Sequence, residues 1–453
     1  MGEKKLTREE LIKKAERPGK LAMQLHPFYQ GKVEVVPKCI IRDFQDFGIW
    51  YTPGVAKPCM DIYNNPDMVF KHTNKANMIA VVSDGTRVLG LGDIGPEAGL
   101  PVMEGKALLF KYLGGVDAVP VCLDTKDPDK IIETVLLIQP SFGGINLEDI
   151  SQPKCFYVLE QLRKRARIPV WHDDQQGTAA VTVAGLINAV KIVGKKLPEI
   201  KVAMIGVGAA NVRIAHLLFD IGIDPKNVIL VDSKGTLHTD RDDLPERYKE
   251  KWELAQMTNP HKVRGGIPEA MKGADVCIAL SKSGPGVIEP EWVSTMAKDA
   301  ILFTCANPVP EIFPWDAKDA GARIVATGRS DFPNQVNNSL GFPGIFRGTL
   351  DVQAKTITDE MCIAAALELA KVAEDNGLRE DYIIPTMDEW EVFPREAVAV
   401  GMKAIEQGIA RIKMSKEELF KVAEAKIKRA REETQLLINK QFIPPAPPEP
   451  EGI

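Results

Sequence analysis

Short apolar runs recur along this chain, and most of them are followed by a stretch with helical periodicity. Five lie between residues 200 and 330, at 201–205, 228–231, 276–280, 300–304 and 323–326, and two earlier ones cover 78–82 and 116–121. Short runs of this kind are typical of strands buried on both faces, and strands that alternate with helices favour a parallel sheet. The pattern therefore predicts an α/β protein.

A glycine-rich turn follows the run at 201–205. Gly206-x-Gly208-x-x-Asn211 lies where this strand is expected to lead into a helix, and Asp232 ends the next strand. The glycines allow a tight turn and a close approach of the backbone to a pyrophosphate, which the N–H groups of the helix start can bind. Asn211 stands where glycine or alanine is usual, so a glycine turn without a ligand stays open as an alternative.

Changes in pattern along the 453 residues predict three parts. Residues 1–170 form an α/β N-terminal part, residues 171–340 a Rossmann-type dinucleotide-binding domain, and residues 341–453 a helical C-terminal segment that we expect to pack on the N-terminal part. Capping boxes at Thr7/Glu10 and Ser415/Glu418 predict helix starts, the second helix running to about residue 441. The proline-rich tail 444–450 is predicted to be extended and mobile.

The charge balance and the cysteines narrow the class of protein. The formal net charge is −5, whereas nucleic acids and membrane surfaces are bound by basic faces. No apolar run approaches the roughly 20 residues of a membrane span, and the first seven residues have no hydrophobic stretch of the signal-peptide kind. The seven cysteines contain no C-x-x-C pair, which predicts reduced thiols in a cytoplasmic protein without a zinc or redox motif.

Two acidic pairs each follow a short apolar run. Glu148-Asp149 comes after residues 144–147, and Asp173-Asp174 comes after residues 168–172. Ligands of open α/β sheets lie beyond the carboxyl ends of the strands, and neighbouring carboxylates are costly to bury unless a cation compensates them. Carboxylates that converge there suit Mg²⁺ or Mn²⁺. Acids in helix starts or exposed turns are the ordinary alternative.

Three further side chains are candidates for chemistry. Lys106, between Gly105 and an apolar run, is a candidate for partial desolvation, which would lower its pKa towards the range of a general base. Arg87 follows a tight turn and is able to bind a carboxylate in bidentate fashion. Tyr51 precedes Thr52-Pro53-Gly54. Each of these residues, taken alone, is more often structural than catalytic.

Several segments, in their order along the chain, resemble the malic enzymes in the short form found in bacteria and archaea. The resemblance runs from about residue 25 to about residue 400. It is carried by residues 51–56 (YTPGVA), 83–95 (SDGTRVLGLGDIG), 103–106 (MEGK), 145–149 (INLED), 172–179 (HDDQQGTA), 305–308 (CANP) and 326–338 (ATGRSDFPNQVNN).

The resemblance implies oxidation of malate and decarboxylation of the product to pyruvate and CO₂, with reduction of NAD⁺ or NADP⁺ and dependence on Mg²⁺ or Mn²⁺. It also implies a homo-oligomer, a dimer or larger. The implied metal ligands are Glu148, Asp149 and Asp174; the catalytic residues are Lys106 as base, Tyr51 as acid and Asp173 beside the lysine; the substrate-binding residues are Arg87, Asn307 and Asn338; and the cofactor-binding residues are Gly206, Gly208, Ala209, Ala210, Asn211, Asp232 and Asn307.

Two questions stay open at the level of sequence. The alternative functions are another metal-dependent β-decarboxylating dehydrogenase of a 2-hydroxy acid, such as tartrate or isopropylmalate, and a non-catalytic nucleotide-binding homologue. The choice of dinucleotide is also open, since Asp232 favours NAD by accepting from the ribose 2′-hydroxyl, whereas Lys234 is able to bind a 2′-phosphate. The sequence slightly favours NAD.

Overall fold

A four-stranded parallel sheet forms the core of the first part of the chain. The structure, a computed structural model, describes residues 8–449, with the backbone alone for residues 8–15. The strands are β1 (Met78–Ser83), β2 (Asp117–Cys122), β3 (Gly144–Leu147) and β4 (Val170–His172). They lie in the order β2-β1-β3-β4, and every pair is parallel. The connecting helices are α5 (Pro96–Gly114), α6 (Pro128–Ile138) and α7 (Lys154–Arg165).

A six-stranded sheet follows. Its strands are β5 (Val202–Ile205), β6 (Val228–Asp232), β7 (Gly235–Thr236), β8 (Val276–Ala279), β9 (Ile301–Thr304) and β10 (Ile324–Thr327). Their order is β10-β9-β8-β5-β6-β7, with only the short β7 antiparallel. Its helices are α9 (Ala209–Asp220), α10 (Lys249–Met257), α11 (Ile267–Met271), α12 (Pro290–Val293) and α13 (Pro314–Asp319). The strand order reverses between β5 and β8, which is the crevice where doubly wound sheets bind dinucleotides. The predicted α/β class with a Rossmann-type sheet is confirmed.

Long helices connect and cover the two sheets. They are α8 (Thr178–Ile192), α14 (Phe342–Asp351), α15 (Asp359–Asp375), α16 (Val392–Glu406) and α17 (Lys416–Asn439). Residues 179–190 of α8 are all buried, and α15 packs on α8 while α14 and α17 pack on α5. The C-terminal helices therefore lie against the first sheet's layer.

The predicted capping box before α17 is present. Ser415 Oγ accepts from Glu418 N at 3.2 Å, and Glu418 Oε2 accepts from Ser415 N at 2.8 Å. Thr7 of the other predicted box lies outside the described residues. The tail is extended up to residue 449, as predicted, but instead of being mobile it lies against the first described helix, α1 (Arg8–Tyr29). Tyr29 Oη donates to Pro444 O at 3.1 Å, and Gln24 Nε2 donates to Pro448 O at 2.9 Å.

Four helices precede the first strand: α1 (Arg8–Tyr29), α2 (Asp46–Trp50), α3 (Ala56–Asn64) and α4 (Val69–His72). Many of their apolar side chains, and those of the loop between α1 and α2, are exposed to solvent. No helix within residues 8–449 is long and apolar enough to cross a membrane.

Candidate active site

Three carboxylates meet at the carboxyl ends of two neighbouring strands. Glu148 and Asp149 directly follow β3, and Asp174 lies two residues after β4, which pairs with β3. One oxygen of each carboxylate lies within 4.8 Å of one oxygen of each of the others. Glu148 and Asp149 are only 2% and 3% exposed. The parallel pairing of β3 and β4 thus brings together the acids for which the sequence had left helix starts and exposed turns open as the alternative.

Neighbouring groups hydrogen-bond to these carboxylates, but one buried carboxylate oxygen has no hydrogen-bond partner among the described residues. Asp149 N donates to Asp174 Oδ2 at 2.8 Å, Leu89 N donates to Asp149 Oδ1 at 3.3 Å, and Asn146 Nδ2 donates to Glu148 Oε2 at 3.0 Å. Asp149 Oδ2 is buried and has no partner among the described residues. Burial and the nearby Asp174 raise the pKa of Asp149 to about 8. A buried, unpartnered oxygen among crowded acids fits a divalent cation that prefers oxygen ligands.

Lys106 of α5 points at the same carboxylates. Its Nζ donates to Asp173 and, at 3.1 Å, to Asn338 Oδ1, and lies 3.2 Å from Glu148 Oε1. The ammonium also stands 4.6 Å from the centre of the Phe342 ring. Burial lowers the pKa of Lys106, but Asp173 and Glu148 outweigh burial and raise it above its ordinary value. The predicted lowering of this pKa is wrong, because the sequence did not reveal how closely the carboxylates surround the amine.

Arg87 lies in a loop at the carboxyl end of the first sheet, and Asn307 lies in a loop at the carboxyl end of the second sheet. The two loops touch. Arg87 N donates to Asp149 O at 3.0 Å, while the Arg87 side chain is exposed. Asn307 follows β9 and is half-buried. A Cβ at Gly90 would lie 2.1 Å from Asn307 O, so only glycine allows this approach. The carboxylate group and the crevice of the second sheet therefore face one another.

The glycine loop has the shape that a pyrophosphate requires. Gly206 has φ +88, and a Cβ there would lie 2.5 Å from Leu280 O, whereas nothing but Gln152 Nε2, at 4.0 Å, lies near a Cβ at Gly208. Ala209 and Ala210 begin α9. Asn211 Nδ2 donates to Ile205 O at 3.0 Å and to Gly206 O at 2.7 Å. Asn211 therefore stabilises the turn through two side-chain hydrogen bonds that the usual glycine or alanine cannot form.

Asp232 lies at the end of β6, where a ribose is expected, but its oxygens are already engaged. Arg241 donates to both of them, at 2.7 and 3.2 Å, and Lys251 Nζ donates to Oδ2 at 2.7 Å. The backbone N–H of Lys234 donates to Oδ1 at 2.9 Å. Despite burial, which raises it, the pKa of Asp232 is lowered overall by these donors. No pattern in the sequence had indicated this pairing.

Tyr51 is the one predicted site residue that the structure leaves apart from the others. Its side chain is 72% exposed, and its backbone N–H donates to Phe47 O at 2.8 Å. Every side-chain hydrogen bond described for residues 39–65 stays within that segment or reaches Asp67 or His72 just beyond it. The exposed apolar residues around Tyr51 form what we call the N-terminal apolar surface: Val35, Val36, Ile40, Ile41, Phe44, Phe47, Ile49, Trp50, Met60 and Tyr63.

Two supporting residues escaped the sequence analysis. Phe342 lies under the Lys106 amine, and Glu311 joins two loops of the second sheet: it accepts from Ser281 N at 2.9 Å and from Ala306 N at 3.1 Å. Glu311 is fully buried, yet in sequence it is a lone acid after Asn307-Pro308-Val309-Pro310. A buried acid of this kind has no sequence signal of its own. The segment between Asn338 and Phe342 contains Gly341, but a glycine predicts only a turn and does not predict the contact between Phe342 and Lys106.

Comparisons with known proteins agree with this arrangement. The family model described as malic enzyme, N-terminal domain, matches residues 30–127 and 125–163, and the one described as malic enzyme, NAD binding domain, matches residues 175–405. The chain is 50% identical to the bifunctional malic/malolactic enzyme of Bacillus subtilis over 88% of this chain and 96% of that protein. It is 49% identical to the NAD-dependent malic enzyme of Geobacillus stearothermophilus, over 84% of this chain and 78% of that one.

A more distant relative and two solved structures complete the comparison. The NADP-dependent malic enzyme of Escherichia coli is 40% identical over 86% of this chain, which spans 52% of that protein. The crystal structure of the Entamoeba histolytica malic enzyme superposes with a TM-score of 0.95 at 50% identity, over 98% of this chain and 93% of that one. The malic enzyme of Pyrococcus horikoshii superposes with a TM-score of 0.87 at 49% identity, over 92% and 98%.

Proposed function

Since this chain belongs to the malic enzyme family, and is thus an NAD(P)-dependent malic enzyme, we propose that it converts malate to pyruvate and CO₂ at the carboxylate site and requires a divalent cation to do so. The observation that carries the proposal is the contact between Lys106 and the acids: a lysine amine, three converging carboxylates and an unpartnered buried oxygen lie together opposite the glycine-loop crevice.

The residues present fit Mg²⁺ or Mn²⁺. Glu148, Asp149 and Asp174 offer only carboxylate oxygens, which both ions prefer, and their mutual repulsion is relieved by a positive charge. When bound, the cation supplies a Lewis acid that stabilises negative charge on the substrate oxygen, and it neutralises the charge of Glu148 that otherwise keeps the proton on Lys106.

Different residues of the chain carry out the two proton transfers of the reaction. Lys106 takes the proton of the malate C2 hydroxyl as the C2 hydride leaves for the nicotinamide. Asp173 and Asn338 hold the amine in place for that transfer. Arg87 binds a substrate carboxylate, and Asn307 contacts the substrate from the dinucleotide side. When the C3–C4 bond breaks and CO₂ departs, C3 holds the electron pair, and Tyr51 supplies the proton that completes pyruvate.

Tyr51 belongs to a second subunit in this proposal. Its hydroxyl is exposed on the N-terminal apolar surface, where Phe44, Trp50 and Tyr63 are 86%, 47% and 80% exposed. Large exposed apolar surfaces mark protein–protein interfaces, and a second copy of this chain is the partner that we assign, since it would bring Tyr51, the residue assigned as the acid for C3, to the neighbouring site. We therefore propose a homodimer or larger assembly in which this surface is covered and Tyr51 reaches the neighbouring active site.

The test is a substrate and metal panel. Enzyme stripped with EDTA is assayed for dinucleotide reduction with malate, tartrate and 3-isopropylmalate, before and after addition of Mn²⁺, and pyruvate is measured directly. We expect reduction and pyruvate formation only with malate and Mn²⁺. Full activity after exhaustive chelation would refute the metal requirement, and a preference for tartrate or isopropylmalate would assign a different β-decarboxylating dehydrogenase.

A further inference from the structure

The surroundings of Asp232 form a closed ion-pair network at the adenosine end of the dinucleotide crevice. Arg241 is held between two acids: beside its bonds to Asp232, its Nε and Nη2 donate to Asp243 at 2.9 Å each. Lys251 pairs with Asp232 at 2.7 Å, and Lys234 pairs with Asp243 at 3.0 Å. Three cations thus share two carboxylates, and the network has one net positive charge.

This network leaves Asp232 unable to serve as a ribose acceptor. A carboxylate that reads a ribose diol needs free lone pairs on its exposed side, but the Asp232 side chain is 6% exposed and accepts four hydrogen bonds already. Displacing Lys251 from it would leave an ammonium that is only 12% exposed without its acidic partner, which is costly. The negative charge that normally repels a 2′-phosphate is therefore cancelled.

A cavity of about 300 Å³ lies directly beside the network, and its lining is polar and charged, with two cations and two carboxylates. It is bounded by Lys234, Thr236, His238, Arg241, Asp242 and Asp243. The Lys234 side chain is the accessible cation, at 56% exposure against 9% for Arg241 and 12% for Lys251. Its pairing with Asp243 is largely solvated, and such pairs exchange at little cost.

The other charged residues near the cavity leave the net positive charge of the network unchanged. Asp240 pairs with both Lys262 and Arg264, and Asp242 is exposed on the cavity rim. Counted together with the network, the five cations around the cavity outnumber the four carboxylates by one. In Rossmann-type sheets a basic side chain near the acid at the end of this strand accommodates a phosphate on the adenosine 2′-oxygen, and Lys234 lies two residues beyond Asp232.

We propose that this enzyme recognises NADP in preference to NAD, with Lys234 receiving the 2′-phosphate and Asp232 serving to hold Arg241 and Lys251 rather than to bind ribose. The inference rests on the proposed function, and it reverses the slight preference for NAD that the sequence suggested, because that preference assumed a free Asp232 carboxylate.

The experiment measures binding by calorimetry, without malate or metal, using NADP⁺ and NAD⁺ as probes. We expect the wild-type protein to bind NADP⁺ at least about 10-fold more tightly than NAD⁺, and this ratio to shrink as salt is raised. Lys234→Met should weaken NADP⁺ binding about 10-fold and change NAD⁺ binding less than about threefold. The matched control is Lys226→Met, because Lys226 is an exposed lysine at the opposite end of β6; it should change neither.

The same binding measurement on Asp232→Asn provides a second test of the proposal. We expect it to leave NAD⁺ binding within about threefold, since the carboxylate makes no ribose contact in this proposal. A wild-type protein that binds NAD⁺ more tightly than NADP⁺, or an Asp232→Asn protein that loses about 10-fold in NAD⁺ binding alone, would overturn the inference while leaving the proposed function intact. A wild-type protein that binds neither dinucleotide would refute both.

Discussion

Lys106 Nζ and Glu148 Oε1 lie 3.2 Å apart, so the amine that we assign as the base touches one of the three acids that we assign to the cation. The two residues come from different elements, α5 and the end of β3. Because opposite charges at this distance favour the charged form of each group, the protonation state of Lys106 depends on what neutralises Glu148. Base and metal site therefore act as one unit.

Lys106→Ala should abolish the first chemical step. Hydride transfer from malate is expected to fall by roughly 10²–10⁴-fold, the usual range for loss of a general base. The measurement is the burst of reduced dinucleotide on rapid mixing of enzyme, metal and malate. Lys111→Ala, on the same helix but paired with Asp117 at 3.0 Å, is the control and should keep the burst. A normal burst from Lys106→Ala would exclude this lysine as the base.

Supplying oxaloacetate separates the two steps. Because decarboxylation of added oxaloacetate bypasses the oxidation base, Lys106→Ala should lose less in this reaction than in malate oxidation. Equal losses in both reactions would mean that Lys106 acts through substrate binding instead.

Asp149→Asn should remove metal binding without unfolding the protein. In the metal-free enzyme the substitution takes away one of three crowded carboxylates, two of which are buried, so the thermal midpoint should stay or rise. The wild type should gain about 2.7 kcal/mol of stability at an Mn²⁺ concentration 100 times the Kd, and Asp149→Asn should gain almost none. Thermal unfolding with and without Mn²⁺ measures both effects, with Glu160→Gln, an exposed acid of α7, as the control. Equal stabilisation of all three proteins would place the cation elsewhere.

The backbone features of this site were predictable, but most side-chain pairings were not. Each acidic pair was expected at the end of a short strand, where ligands of open α/β sheets lie, but the pairing of β3 with β4 that joins Glu148 and Asp174 came from the structure. The roles of Asn307 and Asn338 came only from the resemblance to a family, and they stay predictions, as do the boundaries at residues 170 and 340. The partners of Asp232 and the carboxylates around Lys106 depend on side-chain conformations, which hydrophobic periodicity does not encode.

Arg87→Lys should weaken malate binding selectively. A lysine keeps the charge but loses the planar pair of donors that matches a carboxylate, so KM for malate should rise roughly 10-fold, the size of a lost charge-assisted hydrogen bond. Dinucleotide binding should not change, because the Arg87 side chain projects from the loop at the carboxylates. Steady-state kinetics measures KM for malate, and calorimetry measures dinucleotide binding. An equal loss in dinucleotide binding would indicate a general disturbance of the loop.

Glu311 should make stability fall as pH rises. Burial raises its pKa from 4.5 to about 7 although Ser281 and Ala306 donate to it. A folded-state pKa above the unfolded one means that the unfolded chain ionises first, so this contribution is present in full below about pH 4.5 and is lost as pH rises through about 7. Between pH 5 and pH 8 the wild type should lose about 2 kcal/mol relative to Glu311→Gln. Urea unfolding at several pH values measures this difference, and parallel profiles for the two proteins would contradict it.

Mixing two inactive variants tests whether Tyr51 acts across a subunit interface. Tyr51→Phe should lose pyruvate formation in steady state while keeping much of the hydride burst, because the substitution removes only the acid for C3. If Tyr51 completed the site of its own chain, a hybrid of Lys106→Ala and Tyr51→Phe subunits would have one lesion in each site and would stay inactive. If it completes the neighbouring site, one of the two sites in each hybrid combines an intact Lys106 with an intact Tyr51.

Half of the randomly reassembled dimers are hybrids, so the mixture should recover about a quarter of wild-type activity, a figure that follows from counting sites. The variants are mixed under conditions that dissociate and reassociate the subunits, and each variant is carried through the same procedure alone as the control. Trp50→Glu, which puts a charge on the N-terminal apolar surface where Trp50 is 47% exposed, should lower the mass of the assembly and the activity together, since a buried unpaired charge opposes association. Full activity from a Trp50→Glu monomer, or no recovery from mixtures shown by mass to contain hybrids, would place Tyr51 in its own chain's site.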